Sequence, residues 1–209
     1  MFPERIETER LVLEAFTPEN VDALEVYQYT SHRNPNVEEI TDHLSWEPHR
    51  TPKETLDFLR SQAEARREGE DATYVLRPKQ GEPEAGEFAG MTGLHPDWER
   101  RTATFGMWLR KPFWGRGYSG ERAAALAELA FERLDLELVA VSHYAGNEKS
   151  RRAIEKYVER FGGRHEGLLR NGATGADGPV DVHRYTVTRE EWTEATKDER
   201  AKPRHDGQP

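Results

Sequence analysis

Trp114-Gly115-Arg116-Gly117-Tyr118-Ser119-Gly120, preceded by Phe113, brings together residue types suited to holding an anion. Glycines let backbone N–H groups approach a ligand closely, and a helix beginning where such a loop ends adds partial positive charge. A pyrophosphate is the natural occupant. A second polar cluster, Gly146-Asn147-Glu148-Lys149-Ser150-Arg151-Arg152-Ala153-Ile154, opens another helix with Asn147 as a candidate cap. Gly115, Gly117 and Gly120 also spell G-x-G-x-x-G, with Asp135 and Glu137 near the place of a ribose-binding acid. In a dinucleotide fold, however, that acid closes the second strand, whereas both acids here precede Leu138. A tight turn without a ligand accounts for the spacing more readily than a dinucleotide site does.

The elements that must position these clusters follow from periodicity and caps. Arg10 to Phe16 alternates like a half-buried strand, and Thr17-Pro18 offers an N-cap and first-turn proline for a helix with Val21, Leu24 and Tyr27 as its buried stripe. Thr51-Pro52-Lys53-Glu54 reads as a capping box for a helix to about Glu68, with Leu56, Leu59 and Ala63 at helical spacing. Ala72 to Leu76, Glu87 to Leu94 and Thr102 to Leu109 form a meander, the first two joined by a loop from Pro78 to Gly86. A helix over Gly120 to Leu134 and an apolar strand over Leu138 to Ser142 follow. The helix after Asn147 carries Ile154, Tyr157, Val158 and Phe161 and stops at Gly162-Gly163. Strands over His165 to Arg170 and Asp181 to Thr188 bracket a Gly-rich turn, and Thr188 to Glu191 is a capping box for a short helix with Trp192. This order predicts an α+β fold with one parallel crossover. No repeat or linker divides it, so one domain is expected over 1–196, with a polar, disordered tail over 197–209.

The chain has 209 residues and no cysteine, which removes disulfides, thiolate metal sites and a thiol nucleophile; no metal is expected. Any acyl transfer is therefore direct or passes through another nucleophile. Asp and Glu outnumber Lys and Arg 39 to 30, and the formal charge of −9 opposes nucleic-acid binding and favours cationic partners. A solvating acidic surface, as in a high-salt host, accounts for the same excess. Met1-Phe2-Pro3-Glu4-Arg5 carries charge where a signal peptide needs an apolar core, and no apolar run reaches the roughly 18 residues of a membrane span. A cytoplasmic protein without membrane association is expected.

Four motifs in order resemble the GCN5-related N-acetyltransferase (GNAT) superfamily, in its RimJ/RimL-like branch: Glu7-Thr8-Glu9-Arg10-Leu11-Val12-Leu13, Trp114-Gly115-Arg116-Gly117-Tyr118, Asn147-Glu148-Lys149-Ser150, and Tyr185 with Glu191-Trp192. The resemblance implies a central twisted mixed sheet of about seven strands, mostly antiparallel with one splayed parallel pair, and helices on both faces. It further implies acetyl-CoA as cosubstrate, its pantetheine arm entering the splay and pairing with backbone near Trp108, Leu109 and Arg110. The amides from Gly115 to Gly120 would hold the pyrophosphate, Asn147 would contact pantetheine or cap the helix beside it, and Arg116 and Arg152 would pair with nucleotide phosphates. Where the family loop begins with Arg or Gln and ends with Gly or Ala, this chain has Trp114 and Ser119; Ser119 is acceptable as an N-cap. Homodimers are common in this branch.

Acetyl transfer from a thioester to an amine requires removal of the amine proton and a means of meeting charge on the carbonyl oxygen and departing sulfur. The resemblance points to Ser150 as proton donor to the thiolate; an ordinary first-turn serine is the plain alternative. The superfamily's tyrosine acid four residues on is replaced by Ile154, and its glutamates by about Thr104 and Leu168. Glu166, His95 and His143 remain candidate bases through an ordered water, with Asp181 behind them. An α-amine of pKa about 8 is roughly a tenth neutral at pH 7, against a few per ten thousand for lysine, which favours a protein N-terminus or small α-amine as acceptor. Phe16, Tyr27, Tyr29, His32, His43 and Trp46 are candidates to shape its pocket. Two other functions stay open: an acyl-CoA-binding module without catalysis, and, third, a nicotinamide-dependent oxidoreductase.

Overall fold

The computed structural model describes residues 1–175 and 177–197. Among the described residues, eight strands form one sheet in the order β1-β2-β3-β4-β5-β6-β8-β7. They are β1 (Arg5–Glu7), β2 (Leu11–Ala15), β3 (Ala72–Pro78), β4 (Gly90–Asp97), β5 (Thr102–Leu109), β6 (Leu138–Tyr144), β7 (Arg164–Gly175) and β8 (Gly178–Thr188). Neighbours are antiparallel except β5 and β6, which run parallel and are joined through a crossover helix. The helices are α1 (Ala23–Thr30), α2 (Val37–Thr41), α3 (Pro52–Glu68), α4 (Tyr118–Glu128), α5 (Glu148–Arg160) and α6 (Arg189–Ala195).

Strand alternation divides the core between the two faces. Leu13, Tyr74, Leu94, Phe105 and Val141 pack with Leu126 of α4 and Ile154 and Val158 of α5. Val75 and Met91 point the other way and pack with Phe16, Val26 and Leu59 on the α1 and α3 side. Cross-strand register enforces the split, since Leu94 pairs with Phe105 while Met91 pairs with Trp108.

The caps and stops lie largely where the sequence places them. Thr51 accepts from Glu54 N–H at 3.3 Å, with Pro52 in the first turn of α3, and Gly69 closes that helix at φ +81°. Asn147 accepts from Ser150 N–H at 3.0 Å, and Thr188 with Glu191 completes a reciprocal capping box at 3.2 and 2.8 Å. Glu54 instead reaches back to Arg50 N–H at 2.7 Å, so the box expected at α3 is half formed.

Other expectations are corrected. Eight strands replace about seven, because the three residues of β1 pair with β2 through Arg5↔Glu14 and Glu7↔Val12. Helix α1 starts at Ala23 under an Asp22 cap and not at Thr17-Pro18; Thr17 accepts from Asn20 and Val21 in a turn, and Leu24 is exposed. The helix expected to run to Leu134 changes to a π turn over Leu129–Arg133. The last two strands extend much closer to their turn than the sequence implied. Of the tail placed at 197–209, residues 198–209 lie outside the described residues.

β5 and β6 are in register only from Thr102↔Leu138 to Phe105↔Val141. Beyond that, β5 stays with β4 as far as Gly90↔Leu109, and β6 stays with β8 as far as Tyr144↔Val182. Two strands that share a start and follow different neighbours must diverge, so the sheet opens between Gly106–Leu109 and Ser142–Tyr144.

Thr188→Ala removes the hydroxyl that caps α6 and is expected to cost about 1 kcal/mol. In urea unfolding the midpoint falls while the slope stays unchanged.

Candidate active site

The opening between β5 and β6 continues into one large open cleft. It is bounded by the 114–120 loop, the start of α5 and the segment around α2. Trp108, Leu109, Trp114, Gly115, Gly117, Tyr118, Ser119, Gly120, Asn147, Ser150 and Arg152 all line it, so most of the expected coenzyme residues converge on one surface.

Gly115 and Gly117 adopt φ of +76° and +82°, the left-handed region that side chains disfavour. Gly117, not Ser119, occupies the N-cap of α4, and its carbonyl accepts from Gly120 and Glu121 N–H at 3.2 and 3.3 Å. The amides of Tyr118 and Ser119 in the first turn have no helical carbonyl to reach and remain donors at the positive end of α4. The Tyr118 side chain is core: its ring is buried and its hydroxyl donates to Glu82 at 2.8 Å, so only its backbone serves the loop.

A clamp that sequence reasoning missed holds this loop. Glu121 accepts from the Thr8 hydroxyl at 2.5 Å, Arg10 N–H at 2.7 Å and the Arg10 guanidinium at 2.8 Å. Arg10 also donates to the Arg116 carbonyl at 2.9 Å and lies over the Tyr118 ring. An acid in the first turn of α4 was the available signal, but its partners lie 111 and 113 residues away in the sequence.

Two arginine side chains among the expected coenzyme residues turn away from the cleft, although the expectation for Arg110 concerned its backbone. The Arg116 side chain pairs with Glu84 at 2.7 Å and donates to Pro83 O at 3.2 Å, outside the cleft lining. Arg110 pairs with Glu87 at 3.0 Å, donates to Phe88 O at 2.7 Å and stacks over Tyr29 at 3.8 Å. Arg152 does face the cleft and is exposed. Trp114 donates its indole N–H to Leu109 O at 2.8 Å, fixing the end of β5 to the loop.

The catalytic candidates separate by position. Ser150 lines the cleft at the start of α5, whereas Glu166 lies on β7, beyond β8, where it accepts from Thr186 at 2.6 Å and Arg164 at 3.2 Å. Those contacts hold its carboxyl below the usual range, the Thr186 hydroxyl contributing most. His143 lines the cleft but is buried; its Nδ1 donates to Tyr144 O at 2.9 Å, and its Nε2 lies 3.4 Å from the Tyr185 hydroxyl. Burial pushes its pKa down. His95 lies on β4 beside Asp71, and Asp181 accepts from Asn171 N–H at 2.9 Å.

The expected acceptor aromatics are also mixed. Phe16 is buried core against Phe58, and Tyr29 is stacked on Phe88 beneath Arg110. His32 is exposed and does not line the cleft. Trp46 packs on Trp108 at 5.5 Å, and His43 meets Tyr144 edge-on at 6.5 Å, so the segment after α2 reaches both diverging strands. Glu39 of α2 binds Lys111 at 2.6 Å and Lys149 at 3.1 Å, and Lys149 sits 4.2 Å over the Trp114 ring. The two lysines hold the Glu39 carboxyl below its usual range, Lys111 first. Asp135 and Glu137, read as ribose-binding acids in the dinucleotide alternative, are instead paired to Arg101 and Arg189 at the far end of the parallel pair.

This splayed mixed sheet is shared with acetyltransferases of solved structure. One from T. thermophilus is 28% identical, with a TM-score of 0.71 over 97% of this chain and 99% of its own. RimL, a ribosomal-protein α-N-acetyltransferase, has the same fold at 19% identity, with a TM-score of 0.73 over 88% of this chain and 94% of its own. So does MccE, a microcin self-immunity acetyltransferase solved with acetyl-CoA and AMP, at 17% identity and a TM-score of 0.76 over 90% of this chain and 97% of its own. Residues 10–157 match the family model described as "Acetyltransferase (GNAT) domain", and the chain belongs to that family. YdaF of Bacillus subtilis (strain 168), provisionally named a ribosomal N-acetyltransferase, is 36% identical over 108 residues. That match covers 51% of this chain and 57% of YdaF.

Two outcomes are expected. Glu121→Ala releases Thr8 and Arg10 together and lowers stability by about 2 kcal/mol in urea unfolding. The His143 imidazole, held neutral by burial, titrates below its ordinary value of 6.5 when followed by NMR. Because its folded pKa is depressed, its contribution to stability is full above about 6.5 and is lost as pH falls through the folded value.

Proposed function

We propose that the chain is one catalytic domain that moves an acetyl group from acetyl-CoA directly to a primary amine in a ternary complex. The observation that carries this reading is the divergence of β5 and β6 directly beside the amide-rich loop at the start of α4. A pyrophosphate fits the loop, and an extended pantetheine fits the opening, where Gly106–Leu109 has lost β6 as a neighbour.

Direct transfer is consistent with a chain without cysteine. The amine attacks the thioester carbonyl, the C–N bond forms, the C–S bond breaks, and the departing thiolate takes a proton. Ser150 lies in the cleft with its backbone fixed by Asn147, and its hydroxyl is the proposed donor to that thiolate. The name of YdaF, family membership and the acidic surface together favour a protein α-amine as acceptor. The acceptor would approach on the α1 and α2 side, past Trp46 and Trp108, because α4 and α5 cover the other face.

Release of free thiol from acetyl-CoA tests this directly, with short N-terminal peptides, polyamines and free amino acids as acceptors at pH 8. Release stimulated by one acceptor class is the expected result, and Ser150→Ala lowers kcat roughly 10- to 100-fold with little change in acetyl-CoA KM. Tight acetyl-CoA binding with no release for any amine identifies a noncatalytic acyl-CoA-binding module instead.

A further inference from the structure

Asp71, in the turn before β3, and His95, on β4, form a carboxylate–imidazole pair on the face of the sheet opposite α4 and α5. His95 Nδ1 bonds Asp71 Oδ2, and the Thr73 hydroxyl donates to Asp71 Oδ1 at 2.8 Å. The Asp71 side chain is 15% exposed, while that of His95 is 46% exposed. The carboxylate is therefore largely withdrawn from water and the imidazole open to it.

Two glycines set the direction of the ring. Gly93 and Gly106 are paired across β4 and β5, and a Cβ at Gly93 would lie 2.6 Å from His95 Nε2. A Cβ at Gly106 would lie 3.5 Å from the same atom. The imidazole thus lies flat over Gly93, with Nε2 its ring atom nearest Gly106. Gly106 is the first residue of β5 beyond the register with β6, which is where the sheet opens. With Nδ1 donating to Asp71, the neutral ring presents a lone pair at Nε2 toward that opening.

We propose that His95 Nε2 accepts the proton of the attacking amine, and that Asp71 is the positioning residue that fixes the ring and its tautomer. The inference rests on the acyl-transfer reading above. The α-amine reacts in its neutral form: its lone pair forms the C–N bond as the C–S bond breaks, the one surplus proton on nitrogen passes to Nε2, and the departing thiolate takes a proton from the Ser150 hydroxyl, which water reprotonates. The imidazolium then releases its proton to water through its exposed edge. Glu166 does not compete, lying beyond β8 under Thr186 and Arg164, and both His143 ring nitrogens face partners on the opposite face of the sheet.

The test is steady-state thiol release from acetyl-CoA with the peptide amine that the wild type uses, for His95→Ala, His95→Gln and Asp71→Asn, each with and without added imidazole. His95→Ala is expected to lower kcat about 100-fold or more, to leave acetyl-CoA KM within about twofold, and to regain activity as imidazole is added. Asp71→Asn is expected to lower kcat less, without rescue, and His95→Gln, which keeps most of the side-chain volume, is expected to match the alanine variant. Wild-type kcat in either His95 variant overturns the proposal. So does a loss that imidazole fails to restore in a His95→Ala protein that melts like wild type and still binds acetyl-CoA. A wild type that releases no thiol with any amine contradicts the acyl-transfer reading itself, a separate result from these.

Discussion

The end of pairing between β5 and β6 beyond Phe105 and Val141 is the constraint on which the rest of the molecule depends. Backbone N–H and C=O groups at the centre of a sheet are costly to leave without partners, so a splay survives only where neighbouring interactions hold it. β4 and β8 each keep one of the diverging strands straight to its end, through Gly90↔Leu109 and Tyr144↔Val182. The Trp114 indole ties Leu109 O to the 114–120 loop, and Arg10 with Glu121 ties that loop to the first strands. Glu39 spans the mouth through Lys111 and Lys149, so the gap is bridged electrostatically where the sheet offers no hydrogen bonds.

The same geometry divides the chemistry between two faces. On one, the start of α4 presents amides, and the start of α5 presents Asn147 and Ser150. On the other, Trp108, two residues beyond Gly106 on β5, packs on Trp46, and His95 lies over Gly93 with Nε2 toward Gly106. Phe105 marks the boundary, and behind it Arg122 is fully buried on α4, its guanidinium 5.9 Å from the Phe105 ring and 5.7 Å from Tyr157. Burial pushes the Arg122 pKa down, and its Nε and Nη1 have no hydrogen-bond partner among the described residues. A guanidinium so placed detracts from stability, which the large apolar core between α4, α5 and the sheet offsets.

How much of this was legible in the sequence depended on whether the cause was local. The glycine loop, the Asn147 cap and the Thr188–Glu191 box could be read because a turn or cap is specified within a few residues. The side-chain directions of Arg110 and Arg116 could not, because Glu87 and Glu84, both in the β3–β4 loop, decide them. Residues 31–50 carry no strong periodicity, and only tertiary contacts from Glu39, His43 and Trp46 give that segment its role over the cleft. His95 was visible as a residue type, but its orientation required the register that sets Gly93 against Gly106.

Hydrogen–deuterium exchange with and without acetyl-CoA tests the central claim, that the splay and the loop at α4 together form the coenzyme site. Peptides covering 106–109 and 115–119 should gain protection together on addition of acetyl-CoA, while those covering β1 and β2 stay unchanged. Binding that leaves both segments exchanging as before, or protects only the loop, would contradict it.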